Sequence, residues 1–122
     1  MIRRMQDLLE DYKLRISDFC EARDWDQFHD AKELAIGLVT ESSELLDLFR
    51  FKSVAEVEAL FEEPNSREKI EDEVADVLFF LLRMAGRYKI DLREALELKI
   101  QKNAAKYPVE LARGSNRKYT EF

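Results

Sequence analysis

From Val74 to Leu82 the chain is apolar at every position but one, and the exception is Asp76. Coiled as a helix, such a run is hydrophobic on every side, so it belongs at the centre of a bundle or between subunits. Glu73 stands three residues before Asp76, which puts two carboxylates on one face of that helix. Glu73 also falls within the stripe of Ile70, Val77, Phe80 and Met84. A second pair, Glu41 and Glu44, repeats the arrangement, with Glu41 inside the stripe of Leu34, Leu38, Leu45 and Leu48. An unpaired buried carboxylate is very costly. Acids on faces suited to leucine therefore call for a compensating charge, and a hard divalent cation shared between facing helices supplies one.

The remaining pattern is helical throughout. Leu8, Leu9, Tyr12, Ile16 and Phe19, with Met5, space a first helix over about residues 2–22. After the link ARDWD, a second helix is expected over about 27–51. Ser53 and Glu56 form a capping-box pattern for a short helix ending near Phe61, and Glu-Glu-Pro-Asn reads as a breaker. A long helix then runs from about Ser66 to Lys89. Asp91 with Glu94 caps a last helix to about Lys106, where Tyr-Pro stops it. The segment VELARGSNRKYTEF lacks periodicity and reads as an extended arm. With three Gly, two Pro and 38% charged residues in 122, the expectation is one all-α domain over 1–122, a four-helix-type bundle. The apolar run at 74–82 wants more cover than one small subunit offers, which points to a homo-oligomer.

Composition excludes several functions. A formal charge of −6 argues against a nucleic-acid polymer as partner. No stretch approaches the length of a membrane span, and MIRRMQDLLEDY lacks the apolar region of a signal peptide. One Cys, Cys20, forms no internal disulfide and reads as a core residue of a cytoplasmic protein. The acids crowd the region before residue 99, whereas Lys99, Lys102, Lys106, Arg113, Arg117 and Lys118 meet only Glu110 over 99–118. An acidic body with a basic C-terminal segment suits a ligand carrying both a metal and phosphates, and a solvated tail equally well.

The metal itself can be narrowed. Four oxygen ligands without thiolates favour Mg²⁺ or Mn²⁺ over zinc. A di-iron bundle needs Glu-x-x-His pairs, and His29, the single histidine, is not in one. Magnesium held by few side chains keeps positions for water and substrate phosphates, hence phosphoryl chemistry.

Glu41-x-x-Glu44, 28 intervening residues, then Glu73-x-x-Asp76 resembles the ExxE…ExxD signature of the all-α nucleotide pyrophosphohydrolases, the MazG-like superfamily. The stretches 23–52, 71–82 and 99–122 resemble its dCTP pyrophosphatase branch. The resemblance implies hydrolysis of a nucleoside triphosphate, dCTP or a modified dCTP, to the monophosphate and pyrophosphate as nucleotide-pool sanitation. Glu41, Glu44, Glu73 and Asp76 would hold Mg²⁺ ions that clamp the triphosphate and activate a water. Trp25 and His29 would form the base pocket, with Phe51 and Phe80 as aromatic walls. Lys32, Lys99, Asn103, Lys106, Tyr107, Arg113 and Lys118 would reach phosphates or sugar. The resemblance also implies a homodimer or homotetramer. Animal members of that branch carry Trp and Tyr where this chain has Phe51 and Phe80, so an indole N–H and a phenol hydroxyl are lost. That opens the choice of base, with dUTP or a broad range of triphosphates as the alternative. Rivals of another kind are a non-catalytic helical interaction module and an adaptor that binds an acidic partner through the basic arm.

Overall fold

The computed structural model describes residues 5–122, with side chains from Leu8 onward. Six α-helices follow one another: α1 (Met5–Ala22), α2 (Ala31–Phe49), α3 (Val54–Leu60), α4 (Pro64–Arg87), α5 (Leu92–Lys106) and α6 (Val109–Ala112). Single 3-10 turns lie at Asp26–Phe28 and Tyr119–Glu121, and no strand occurs among the described residues. The all-α expectation holds. The expected start of the first helix at residue 2 and the side chain of Met5 lie outside the described residues.

Local chemistry sets most boundaries. Ser53 and Glu56 close a reciprocal capping box on α3, as their spacing requires. Asp91 accepts the backbone N–H of Glu94 at the start of α5. Two starts differ from the sequence reading. The second helix begins four residues later than expected, because residues 26–28 close a 3-10 turn and Asp30 then caps α2 through the Glu33 N–H. The expected breaker is instead the first turn of α4. Pro64 occupies its first position, where a missing N–H costs nothing, and the Glu63 carboxylate accepts from the Asn65 and Ser66 amides.

The chain divides into two compact units, one ending at Lys89 and one running Ile90–Phe122. In the first, α4 packs against both α1 and α2, the central position that its all-round apolar run demands. Cys20, Leu34, Ile70, Leu82 and Ala85 are its buried apolar side chains. Cys20 is thus core, as expected. Among the many exposed large apolar side chains, Ile36, Val39 and Leu46 lie along α2 and Val74, Leu78 and Leu81 along α4.

In the second unit the arm is not extended. Its end folds back on Tyr107, whose ring meets Tyr119 at 5.9 Å and Phe122 at 5.9 Å, both edge to face. Lys106 lies over the Tyr119 ring at 4.9 Å. Aromatics at 107, 119 and 122 have no helical or strand period, so periodicity could not reveal the cluster.

Candidate metal and nucleotide site

α2 and α4 run antiparallel, and two contacts fix their register. Phe80 lies against Gly37, and one turn along α2 in the opposite sense along α4 Glu41 meets Glu73 and Asp76. One carboxylate oxygen from each of Glu41, Glu73 and Asp76 lies within 4.8 Å of the others. Three of the four acids singled out by spacing therefore lie together. Glu44, exposed on the next turn of α2, acts on both Glu41 and Glu73 by charge and hydrogen bonding.

The electrostatics of this cluster are unfavourable as it stands. Glu41 Oε2 and Glu73 Oε2 are buried and accept no hydrogen bond, although such atoms are nearly always satisfied. Desolvation, then the hydrogen bond with Glu44 and the charges of Glu44, Asp76 and Glu73, push the Glu41 carboxyl up to about 7. Glu73 is raised as well, first by desolvation and then by Glu44. Two orphaned, inward-facing oxygens on converging acids are what a hard divalent cation would satisfy, so the donor set fits Mg²⁺ or Mn²⁺.

Gly37 is what lets α2 and α4 close at this point. A Cβ there would meet Phe80 Cζ at 2.7 Å and Cδ1 at 2.8 Å, with Cε1 closer still. The Phe80 ring also packs edge to face on Phe79 at 5.8 Å, so its retreat would disturb that contact. Gly37→Ala is therefore expected to destabilise the protein by about 1–3 kcal/mol despite the better helix propensity of alanine. A urea melt with an unchanged or raised midpoint would contradict this close approach.

Beyond Phe80 the aromatic contacts continue, Phe79 to Phe19 at 6.0 Å, Phe19 to Trp25 at 5.7 Å and Trp25 to His29 at 6.2 Å. Trp25 and His29 flank the 3-10 turn before α2, and Lys32 is exposed on the first turn of α2. Phe51 lies elsewhere. It follows the C-terminus of α2, 91% exposed, with a left-handed φ of 66° and the Arg50 guanidinium over its ring. From Gly37 to the end of α2 is about 18 Å along the helix axis, and the acids lie between. Phe51 and Phe80 of one chain therefore do not wall the same pocket. Lys99, Asn103 and Lys106 recur at helical spacing on α5, Tyr107 ends it, and Arg113 and Lys118 follow α6 and precede the last 3-10 turn, all within the second unit.

Two site residues were missed from the sequence. Arg83 on α4 is 3% exposed and donates to His29 Nδ1 at 2.9 Å and to Asp26 Oδ1. Its signal was available, a charge on the stripe of Glu73, Asp76 and Phe80 at helical spacing. Gly37 likewise stood out as a glycine inside a helical pattern.

An all-α bundle with carboxylates converging from two facing helices is the class these features define. Comparison with known proteins then gives the family. Residues 36–122 match the MazG-like family, and the chain belongs to it. Over 114 residues, 93% of this chain and 67% of theirs, it is 41% identical to dCTP pyrophosphatase 1 of Rattus norvegicus and 40% identical to that of Homo sapiens. The crystal structure of a pyrophosphatase from Archaeoglobus fulgidus superposes with a TM-score of 0.78 at 31% identity, covering 88% of this chain and 99% of that one. No described helix is long and apolar enough to cross a membrane.

Proposed function

We propose that this chain is a Mg²⁺-dependent nucleoside triphosphate pyrophosphohydrolase that prefers dCTP or a modified dCTP and so cleans the nucleotide pool. Membership of the MazG-like family and the match to dCTP pyrophosphatases over 93% of the chain support the reaction. The observation that carries the site assignment is the convergence of Glu41, Glu73 and Asp76 with two buried, unsatisfied oxygens.

In this reading Glu41, Glu44, Glu73 and Asp76 hold the cation. A cation held there would offset the charge of the triphosphate and lower the pKa of a nearby water; that water gives up its proton as it bonds to the α-phosphorus, and pyrophosphate leaves with the broken P–O bond. Glu41, which carries one of the two buried, unpartnered oxygens, is the acid assigned to orient that water or take its proton. Phe80, Trp25 and His29 face the base, one to two helical turns from the acids. Lys32, Lys99, Asn103, Lys106, Tyr107, Arg113 and Lys118 are assigned to phosphate and sugar on their chemistry as cations and hydrogen-bond donors, with residues 1–122 acting as one domain.

The exposed apolar side chains Ile36, Val39, Leu46 and Val74, Leu78, Leu81 support self-association into a dimer or tetramer, since extensive apolar surface marks interfaces. A second copy would also be the source of a Phe51 ring for the base. The buried, unpaired Cys20 suits a reducing cytoplasm. The test is a panel of all (d)NTPs with pyrophosphate detection. Faster turnover of dCTP and 5-substituted dCTP is expected. Equal rates on every base would overturn the cytosine preference, and no pyrophosphate from any of them would overturn the activity.

A further inference from the structure

We propose that Arg83 is a positioning residue that locks His29 in its Nε2–H tautomer, so that the site presents a fixed, neutral hydrogen-bond donor to an acceptor on the substrate base. This rests on the reading above that His29 faces the base.

The geometry starts from donor and acceptor capacity. A guanidinium has five N–H donors, no acceptor, and stays protonated. Because Arg83 Nε donates to His29 Nδ1 at 2.9 Å, that nitrogen must be bare. Its proton in the neutral ring then sits on Nε2, and the choice of tautomer is made by the partner of the other nitrogen. Arg83 is itself held: its side chain is 3% exposed and its second arm donates to Asp26 Oδ1. Asp26 begins the 3-10 turn and His29 follows its last residue. One buried cation thereby ties the turn that enters α2 to the C-terminal part of α4, across more than fifty residues of chain.

The placement along α4 suits base recognition. Glu73, Asp76, Phe80 and Arg83 recur at three- and four-residue spacing, so they share one face. The rise per residue sets Phe80 about 6 Å and Arg83 about 10 Å along the axis from Asp76. Phosphates at the acids thus leave the base toward Phe80 and the ring that Arg83 holds. The charges around that ring are Arg83, Asp26 and Arg87, and burial together with Arg83 keeps His29 below the ordinary imidazole range. A neutral imidazole with a fixed N–H recognises an acceptor such as the O2 or N3 of cytosine. A site built to hydrogen-bond one edge discriminates strongly against bases that cannot match it.

His29 is the single histidine, so long-range ¹H–¹⁵N NMR on the intact protein reads its tautomer without assignment. The wild type should show a bare Nδ1 and a protonated Nε2 from pH 6 to 8. Arg83→Met should mix the tautomers and raise the KM for dCTP about tenfold, the worth of one hydrogen bond. Its binding of Mg²⁺-imidodiphosphate, which has no base, should change less than twofold. Arg83→Lys keeps the charge but lacks the fork, and should fall between the two. If Arg83→Met does not fold, the wild-type spectrum and Arg83→Lys still decide. An Nδ1–H tautomer in the wild type, or variants that keep the Nε2–H form and the wild-type KM, would overturn the role of Arg83. His29→Ala separates the two claims. If it raises KM while the Arg83 variants do not, only the Arg83 proposal fails. If it leaves KM unchanged for every base, the reading of His29 as a base contact fails and the proposal with it.

Discussion

Asp76→Asn and Glu73→Gln are each expected to cut pyrophosphate release by on the order of 10³-fold, the scale seen when one preorganised electrostatic group is removed from a hydrolytic site. The effect should be strongly non-additive, because groups that hold one cation act as a unit and the double variant should be little worse than either single one. Stability should move the other way. In the metal-free protein Glu41 and Glu73 have buried oxygens without partners, and three carboxylates crowd within 4.8 Å. Making one of them an amide removes repulsion and introduces a donor that a neighbouring carboxylate can use. A urea melt at pH 8 in chelator should therefore show each variant at least as stable as the wild type. Variants within threefold of wild-type turnover would show that the acids are not the cation site.

The second large effect is a stability that depends jointly on pH and metal. A carboxyl in the unfolded chain titrates near 4.5, whereas Glu41 in the fold is up to about 7. Between those values the folded protein binds more protons than the unfolded one, so stability falls as pH rises. Below pH 4.5 the group is neutral in both states and contributes nothing, and above 7 its destabilisation is complete. Glu73 shifts in the same direction. For Glu41 alone, screening by solvent that reaches the exposed Asp76 and Glu44 leaves a loss of about 1–2 kcal/mol between pH 5 and pH 8. Millimolar Mg²⁺ should restore it at pH 8 and do less at pH 5, where a proton competes for Glu41. Thermal melts at both pH values, with and without Mg²⁺, read all four corners. Metal-free protein that is equally stable at pH 5 and 8 would contradict the crowding of these acids.

Much of this was legible in the chain because the informative residues break a pattern that is otherwise regular. Acids on leucine stripes announced the cluster, and the Ser53 and Asp91 caps fixed two helix starts. Where reading failed, the cause was a choice between two uses of one residue. Pro64 can end a helix or begin one, and only the Glu63 carboxylate turned on the following amides decides it. The tail failed for a different reason. Tyr107, Tyr119 and Phe122 find one another through tertiary packing that leaves no period in the sequence. Phe51 was assigned a wall beside Phe80 by resemblance alone. Position along α2 separates the two rings, a distance that motif matching does not see.

The central claim is that the carboxylates of α2 and α4 hold a divalent cation for triphosphate hydrolysis. Its most direct test is product analysis of dCTP turnover with Mg²⁺ and with chelator. The account predicts equal amounts of dCMP and pyrophosphate with Mg²⁺ and none with chelator. Undiminished turnover in chelator, or release of orthophosphate and dCDP instead, would contradict it.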